Sequence, residues 1–582
     1  LAGNGIIING SAATASTLTI GAGGDGATFQ GSIRNGAAAV TALIKSGIGT
    51  QIFTVTNLYT GATTVTGGLL QITSTGSVDS TTTVNNGATL DLDGEVDGNV
   101  VVNSGGLLQG TSGNVTGTIT VNGGGAFSPG DSPGIMTTTN LSFVNNSIFT
   151  VEIQDNDDGN PFTAPNQGGT AGVDYDQVQV SGTVTIGSNV TLDLQDIGST
   201  VGRNKPYDVY RIIDNTGAGA VIGRFAGLTE NGAVVMATGG IEYRSYYNGG
   251  DGNDVILIGR PTGLTEVFVS NTFAGLRPGD VINDVDFLTA GNQPGVYGID
   301  GYTNLGDIHS GVTVTDIGGL TAVDAGGAVH VDSGTYVHDR TLLVTKPVSI
   351  IGQGMQGPNA TEIRKAGAPT AHFDEAIKSQ ADDVTLSDAR LGWVDSTTND
   401  YQGYVVLVES FIPGNTIVDN TTLTRLFFGE GYRSAVVLEG TNLTEISDSI
   451  FAGNWGRAAI RDGTGGSATN FLITRNEFRE DHFRWGPISF GPQGESHNSN
   501  PFSGVVSFNY FGNGLDVDFQ SQGDRNYTVT VTNNGLTAIT GIPGLAEFTG
   551  RGLVFDHNTF DWKDSATQNA LDGMQVFGGY SC

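Results

Sequence analysis

The chain has 582 residues, with 91 glycines against 16 prolines, a formal charge of −33 carried by only 14% charged residues, and a single cysteine, Cys582. This length exceeds one ordinary compact core, so several domains or an elongated repeat is expected, and the shortage of Lys and Arg removes the basic stripe that nucleic acid would need. No internal disulfide can form, no apolar run is long enough to span a bilayer, and the abundance of Gly, Thr, Val, Asn and Ser favours short strands and tight turns over helices.

The acidity has a plain reading as solubility in a salty exterior, because net charge speaks about solubility and not about fold. The sequence opens at Leu1 without a signal peptide and reads as a processed product or a piece of something longer.

The first half repeats at a short period. Segments beginning at Val65 (VTGGLL), Val84 (VNNGATL), Val102 (VNSGGLL) and Val121 (VNGGGAF) follow one another at steps of 19, 18 and 19 residues. Each joins a β-branched residue to a polar, glycine-rich corner and then to an apolar residue: Leu70, Leu90, Leu108 or Phe127. A period near 19 leaves no room for a helix but suffices for two or three strands, so the chain must coil with its inward side chains stacked on the turns above and below. The stretch GTQIFTVTNLYTGATTVTGGLLQI, Gly49 to Ile72, resembles the autotransporter-associated β-strand repeat of bacterial surface passenger proteins. The resemblance implies a right-handed parallel β-helical stalk at a bacterial surface; the family's C-terminal membrane barrel does not follow in this sequence, which leaves the secretion route open.

From Asn146 to Gly259 the repeat loosens, and it ends in GGDGNDVIL, Gly249 to Leu257. This spelling fits the calcium-binding nonapeptide G-G-x-G-x-D-x-U-x, which shares ions between tandem copies. The motif stands alone here, so a hairpin-type turn stabilised by Asp251, Asn253 and Asp254 is favoured. Those three residues are also the candidate ligands should calcium bind; no other cofactor is expected.

Arg260 to Gly311 breaks the period with prolines, glycines and acidic residues, and marks an irregular but ordered connecting segment between region 1–259 and region 312–582. Beyond it, LTAVDAGGAVHVDSGTYVHDRTLLVTKPVSIIGQG, Leu320 to Gly354, reads as a brief apolar cap, a glycine turn and the strands Ala328 to Val331, Thr341 to Val344 and Val348 to Ile351. It resembles the first coil of the pectate-lyase-like right-handed parallel β-helices, whose open N-terminal end is plugged by a short element. Later turns are anchored by Phe451, Phe478, Phe511 and Phe560, each preceded two places earlier by Ser449, Asn476, Asn509 or Asn558. Repeated Asn at one corner is expected to stack and share side-chain hydrogen bonds along the axis. The anchors are 27, 33 and 49 residues apart, which predicts unequal insertions at the loops where solenoids place binding surfaces.

Members of that superfamily that cut acidic polysaccharides need a base with Ca²⁺ or Arg, or two carboxylates at a set separation. The candidates are Arg479 to Trp485 (REDHFRW), the pair Asp516 and Asp518, and Asp556 to Asn558 (DHN). A structural role is favoured for each: Asp516 and Asp518 fall on one solvent face of a strand, and His557 is an ordinary outward residue. No G-x-S-x-G elbow appears, and neither do the clustered acidic pairs or the GHG-like element of polygalacturonase-like relatives.

The sequence therefore predicts an all-β chain of two consecutive right-handed parallel β-helical regions. Its expected role is that of a non-enzymatic extracellular structural or adhesive protein, a stalk, sheath, filament or surface-layer component at a bacterial surface. The expected partners are further copies of itself, other cell-surface proteins and glycans. The competing expectation is a lyase or glycoside hydrolase acting on acidic polysaccharide through the second region.

Overall fold

The computed structural model describes the chain except residues 12, 25, 38, 131, 155–168, 198–206, 229–233, 237–241, 262, 306–318, 370–373, 396–402, 411–416, 430–432, 453–457, 463–466, 480–486, 490–501, 513–525, 539–546, 550, 557–558, 563–574 and 578–582; from 535 onward only backbone is described. The fold is all-β and dominated by parallel pairing: a sixteen-stranded and an eight-stranded sheet form the first solenoid, and a twenty-stranded and a six-stranded sheet form the second. Among the described residues helix is confined to Gly319–Ala322 and a 3₁₀ turn at Asn271–Phe273. Among the described residues no helix is long and apolar enough to cross a membrane.

In the first solenoid the repeated residues fall directly above one another. Val65 pairs with Val84, Val84 with Val102, and Val102 with Val121. Leu70 pairs with Leu90, Leu90 with Leu108, and Leu108 with Phe127. All these side chains are 0% exposed, because alternate residues of each strand point inward and the next coil covers them from above. Asparagines line a corner: Asn103 Nδ2 donates to Asn85 Oδ1 and Asn122 Nδ2 to Asn103 Oδ1, both at 2.8 Å. Lys45 occupies the valine column, between Ile20 and Val65. Its stem is buried and its ammonium reaches the corner, donating to the carbonyls of Ser46, Gly47 and Gly67 at 3.1, 3.1 and 2.9 Å, which satisfies all three of its protons.

The second solenoid has a longer and less regular period but an equally strict register. One inward column runs Val267, Val329, Ile350, Leu386, Leu423, Ile446, Ile473, Val506, Val531 and, by backbone pairing, Phe555. The connecting segment 260–311 is thus built into this solenoid, since its strand Glu266–Val269 starts the column. A second column stacks Phe428, Phe451, Phe478 and Phe511 with successive centroids 4.8 Å apart and planes within 10°. That distance is the spacing of neighbouring strands, so backbone pairing sets the stacking distance of the rings. The 49-residue step from Phe511 to Phe560 holds two coils, because Leu536 pairs with both residues. The sequence-based reading missed this coil since leucine replaces phenylalanine there.

The expected asparagine ladder is present. Asn476 Oδ1 accepts the amide of Ser449 at 3.0 Å, Asn509 Oδ1 that of Asn476 at 2.9 Å, and Asn534 Oδ1 that of Asn509 at 2.9 Å. The side-chain amides of Asn476, Asn509 and Asn534 donate in turn to the carbonyls of Ile446, Ile473 and Val506. Asn558 lies outside the described residues, and Asn534, which sequence reading passed over, takes the place above Asn509.

A hairpin closes the first solenoid and opens the second. Strand Val209–Asn215 pairs antiparallel with Asp254–Gly259, which pairs antiparallel with Glu242–Gly249. Every residue of Asp254–Gly259 is buried. Tyr243, Tyr247, Val255 and Leu257 enter the first core, while Tyr246, Ile256 and Ile258 enter the second. Polar contacts cross the same plane: Arg244 donates to Tyr302 Oη at 3.3 Å and to the carbonyl of Ala322 at 3.1 Å, Tyr207 Oη donates to Asp300 Oδ1 at 3.0 Å, and the hydroxyls of Tyr246 and Tyr302 both reach the Gly298 carbonyl. Leu320 of the short helix is fully buried within the second core.

Two outcomes test this account. Asn476→Ala removes the acceptor of the Ser449 amide and the donor to Ile446, and two unmet buried groups predict a loss of about 2–4 kcal/mol. Denaturation midpoints and hydrogen exchange at Ser449 check it; unchanged protection at that amide would remove the ladder from the list of stabilising contacts. Burial pushes the carboxyls of Asp254 and Asp300 up from 3.8 to about 6, against the opposing pull of the amides of Asn215 and Val296. Unfolded, they titrate near the ordinary value, so the folded chain holds more protons between the two pKa values; the stability this gives is complete below the unfolded value and is lost as pH rises through the folded one. Calorimetric melting temperatures should fall between about pH 4 and 6, and fall less in Asp300→Asn.

Candidate functional site

The outward surface of the second solenoid carries its most ordered polar array at one corner. Asp388, Arg425, Asp448, Arg475, Phe508 and Asn533 occupy this corner in successive coils, all with left-handed backbone at φ between 51 and 58°. In this region a side chain is forced outward at a sharp bend, and Asn and Asp tolerate it best. The charges alternate along the axis. Arg425 forms a two-pronged pair with Asp388, Nε and Nη2 each 2.6 Å from a carboxylate oxygen, and Arg475 holds Asp448 at 2.8 and 2.7 Å.

Neighbouring coils lie about 4.8 Å apart, so like charges at this corner would repel and opposite ones pair. The hydrogen bonds from Arg475 hold the Asp448 carboxyl below the ordinary range, and those to Asp388 raise Arg425. Both arginine side chains are 52% exposed, so each pair contributes little alone and the array matters chiefly as a fixed pattern of charge.

The pattern ends in an aromatic. Phe508 is 62% exposed, Tyr510 47% and Val505 36%, on consecutive parts of one coil. A bulky residue in left-handed backbone costs about 1–2 kcal/mol, and where the lower coils place Asp or Arg this one exposes a ring. Part of the corner was latent in the sequence: Asp448, Arg475, Phe508 and Asn533 immediately precede Ser449, Asn476, Asn509 and Asn534 of the ladder. Its charge alternation needed the register to be seen.

The residues singled out for chemistry are dispersed. Asp251 is exposed at the tip of the junction hairpin, while Asn253 and Asp254 are buried. Gly250 and Gly252 turn the tip with φ of 56 and 114°. Asp254 Oδ1 accepts the amide of Asn215 at 2.8 Å, and its Oδ2 faces Arg211 Nε at 3.2 Å. Asn253 Nδ2 donates to the carbonyls of Gly217 and Gly219 at 2.5 and 3.2 Å. The two inner residues thus fasten the hairpin to the preceding coil. Among the described residues no group of three or more His, Cys, Asp or Glu is arranged to hold a metal ion. Arg479 pairs with Glu477 at 2.8 Å; the rest of REDHFRW up to Trp485, together with Asp516, Asp518, His557 and Asn558, lies outside the described residues. Asp556 ends a strand whose backbone pairs it with Thr532.

Titration with Ca²⁺ distinguishes a hairpin fastener from a metal ligand. The fastener role predicts no saturable heat with the intact chain or with Asp254→Ala; saturable binding lost in the variant would establish the calcium site.

Neither a scan against protein-family models nor a search of curated proteins returns a match to this chain.

Proposed function

We propose that the chain is an extracellular structural or adhesive protein whose working part is its shape: a stiff β-solenoid rod belonging to a stalk, sheath, filament or surface layer of a bacterial cell. The observation that carries this reading is the doubly buried hairpin Asp254–Gly259. It packs on both cores at once, so an axial load passes from one solenoid to the other through close-packed side chains and not through a tether. The resemblance of Gly49 to Ile72 to passenger repeats, and of Leu320 to Gly354 to pectate-lyase-like coils, supports the same assignment. The corner from Asp388 to Asn533 would present a fixed charge pattern and an aromatic tip to further copies, to other surface proteins or to glycans.

An eight-stranded sheet in the first solenoid and a ten-residue inward column in the second, at about 4.8 Å per coil, predict a rod roughly 90 Å long. Negative-stain images at rising concentration should show such rods joining end to end or side by side. Rods that stay separate at high concentration would remove the assembly role. Release of unsaturated products or new reducing ends from pectin or alginate would replace the structural reading by the enzymatic one.

A further inference from the structure

The outer face of the six-stranded sheet in the second solenoid holds a buried cation, Arg461, whose Nε meets no acceptor. An outward column includes Lys378, Leu407, Val437 and Arg461 in successive coils. Lys378 is neutralised, with Nζ 2.6 Å from Glu409 and 4.0 Å from Glu375. Arg461, further along the column, is only 6% exposed, and its described hydrogen bond is to a neutral group, Tyr404 Oη, 3.0 Å from Nη2. Its Nε is buried without an acceptor. A second guanidinium, Arg433, also 6% exposed, lies over the same tyrosine ring: the two Cζ atoms are 5.8 and 5.4 Å from its centroid.

Ring contact alone contributes about 1–2 kcal/mol to a desolvated guanidinium, whereas an uncompensated buried charge costs several kcal/mol. In a chain whose formal charge is −33, a buried arginine whose described partner is a neutral hydroxyl runs against the overall excess of acid. Leu407 and Val437, packed with Tyr404 in a small cluster of their own, provide the low-dielectric floor on which an oxyanion would bind most strongly.

We infer that this place is an anion site, completed by a planar carboxylate that accepts from the Nε edge of Arg461, with Arg433 close to the same Tyr404 ring. Guanidinium forks match carboxylates in a two-pronged geometry. The carboxylate can come from a uronic acid or from a simple organic acid. The site does not depend on the structural role proposed above and would serve a rod that contacts acidic glycans equally well.

The test is thermal melting and calorimetric titration of the full chain with sodium glucuronate, sodium acetate, glucose and sodium chloride at matched ionic strength. Carboxylates should raise the wild-type melting temperature saturably, while glucose and chloride should not. Binding of glucuronate without acetate would identify a sugar acid as the source, and binding of both would show that the carboxylate suffices. Arg461→Met should fold, with a ligand-free melting temperature equal to or above that of the wild type, and should bind carboxylates at least ten-fold more weakly. Absence of a saturable carboxylate effect in the wild type, or an equal effect in Arg461→Met, overturns the assignment.

Discussion

A single coil of this chain has no core of its own. Two or three short strands around one ring cannot shield their inward side chains from water on either side of the ring, so each coil is stable only when another lies directly on it. This constraint accounts for the strictness of the register. A slip of one residue would turn a whole inward row outward, and the columns from Val65 to Val121 and from Val267 to Val531 show no such slip. It also explains why like stacks on like: phenylalanines meet at the strand spacing, asparagines at a corner satisfy their neighbours' amides, and oppositely charged residues alternate where the backbone turns left-handed.

The same constraint makes the ends of a solenoid expensive, since an end exposes core and unpaired backbone together. Here the end of the first solenoid and the start of the second are covered by one hairpin. Antiparallel pairing lets Asp254–Gly259 leave the coil path, and its alternating side chains serve a different core on each face. Because the strand is buried on both sides, its polar groups must find partners inside the protein. The tyrosine hydroxyls converging on Gly298, the reach of Arg244 to Ala322 and the elevated carboxyls of Asp254 and Asp300 are the consequences. The junction therefore gathers buried polar groups, among them two carboxyls that burial holds above their ordinary range.

Inside the solenoids the ionic groups are answered locally. Lys45 meets three carbonyls and Lys378 meets Glu409. Arg244 and Arg461 are answered by neutral groups instead, a tyrosine hydroxyl and a carbonyl for the first and a tyrosine hydroxyl for the second, and each keeps a buried Nε without an acceptor. Arg461 differs in lying on the outer face of the second solenoid, and local rules are broken at binding sites more often than elsewhere.

The sequence by itself determined the parallel coiling of both regions. Periodic residues such as Val84 and Leu90, and the Ser or Asn two places before each anchoring Phe, are local signals that recur in phase, and phase is all that stacking requires. It also determined that the glycine-rich tip before Asp254 is a turn, because Gly250 and Gly252 meet a backbone demand that other residues resist. What only the tertiary structure decided depends on which coil lies on which. The extra coil at Leu536, the partition with a core on either face, the alternation Asp388, Arg425, Asp448, Arg475 and the meeting of Arg433 with Arg461 across Tyr404 join residues 23 to 57 positions apart. Insertions of unequal length separate those partners, so no fixed period reveals them, and backbone pairing alone brings them to the same place.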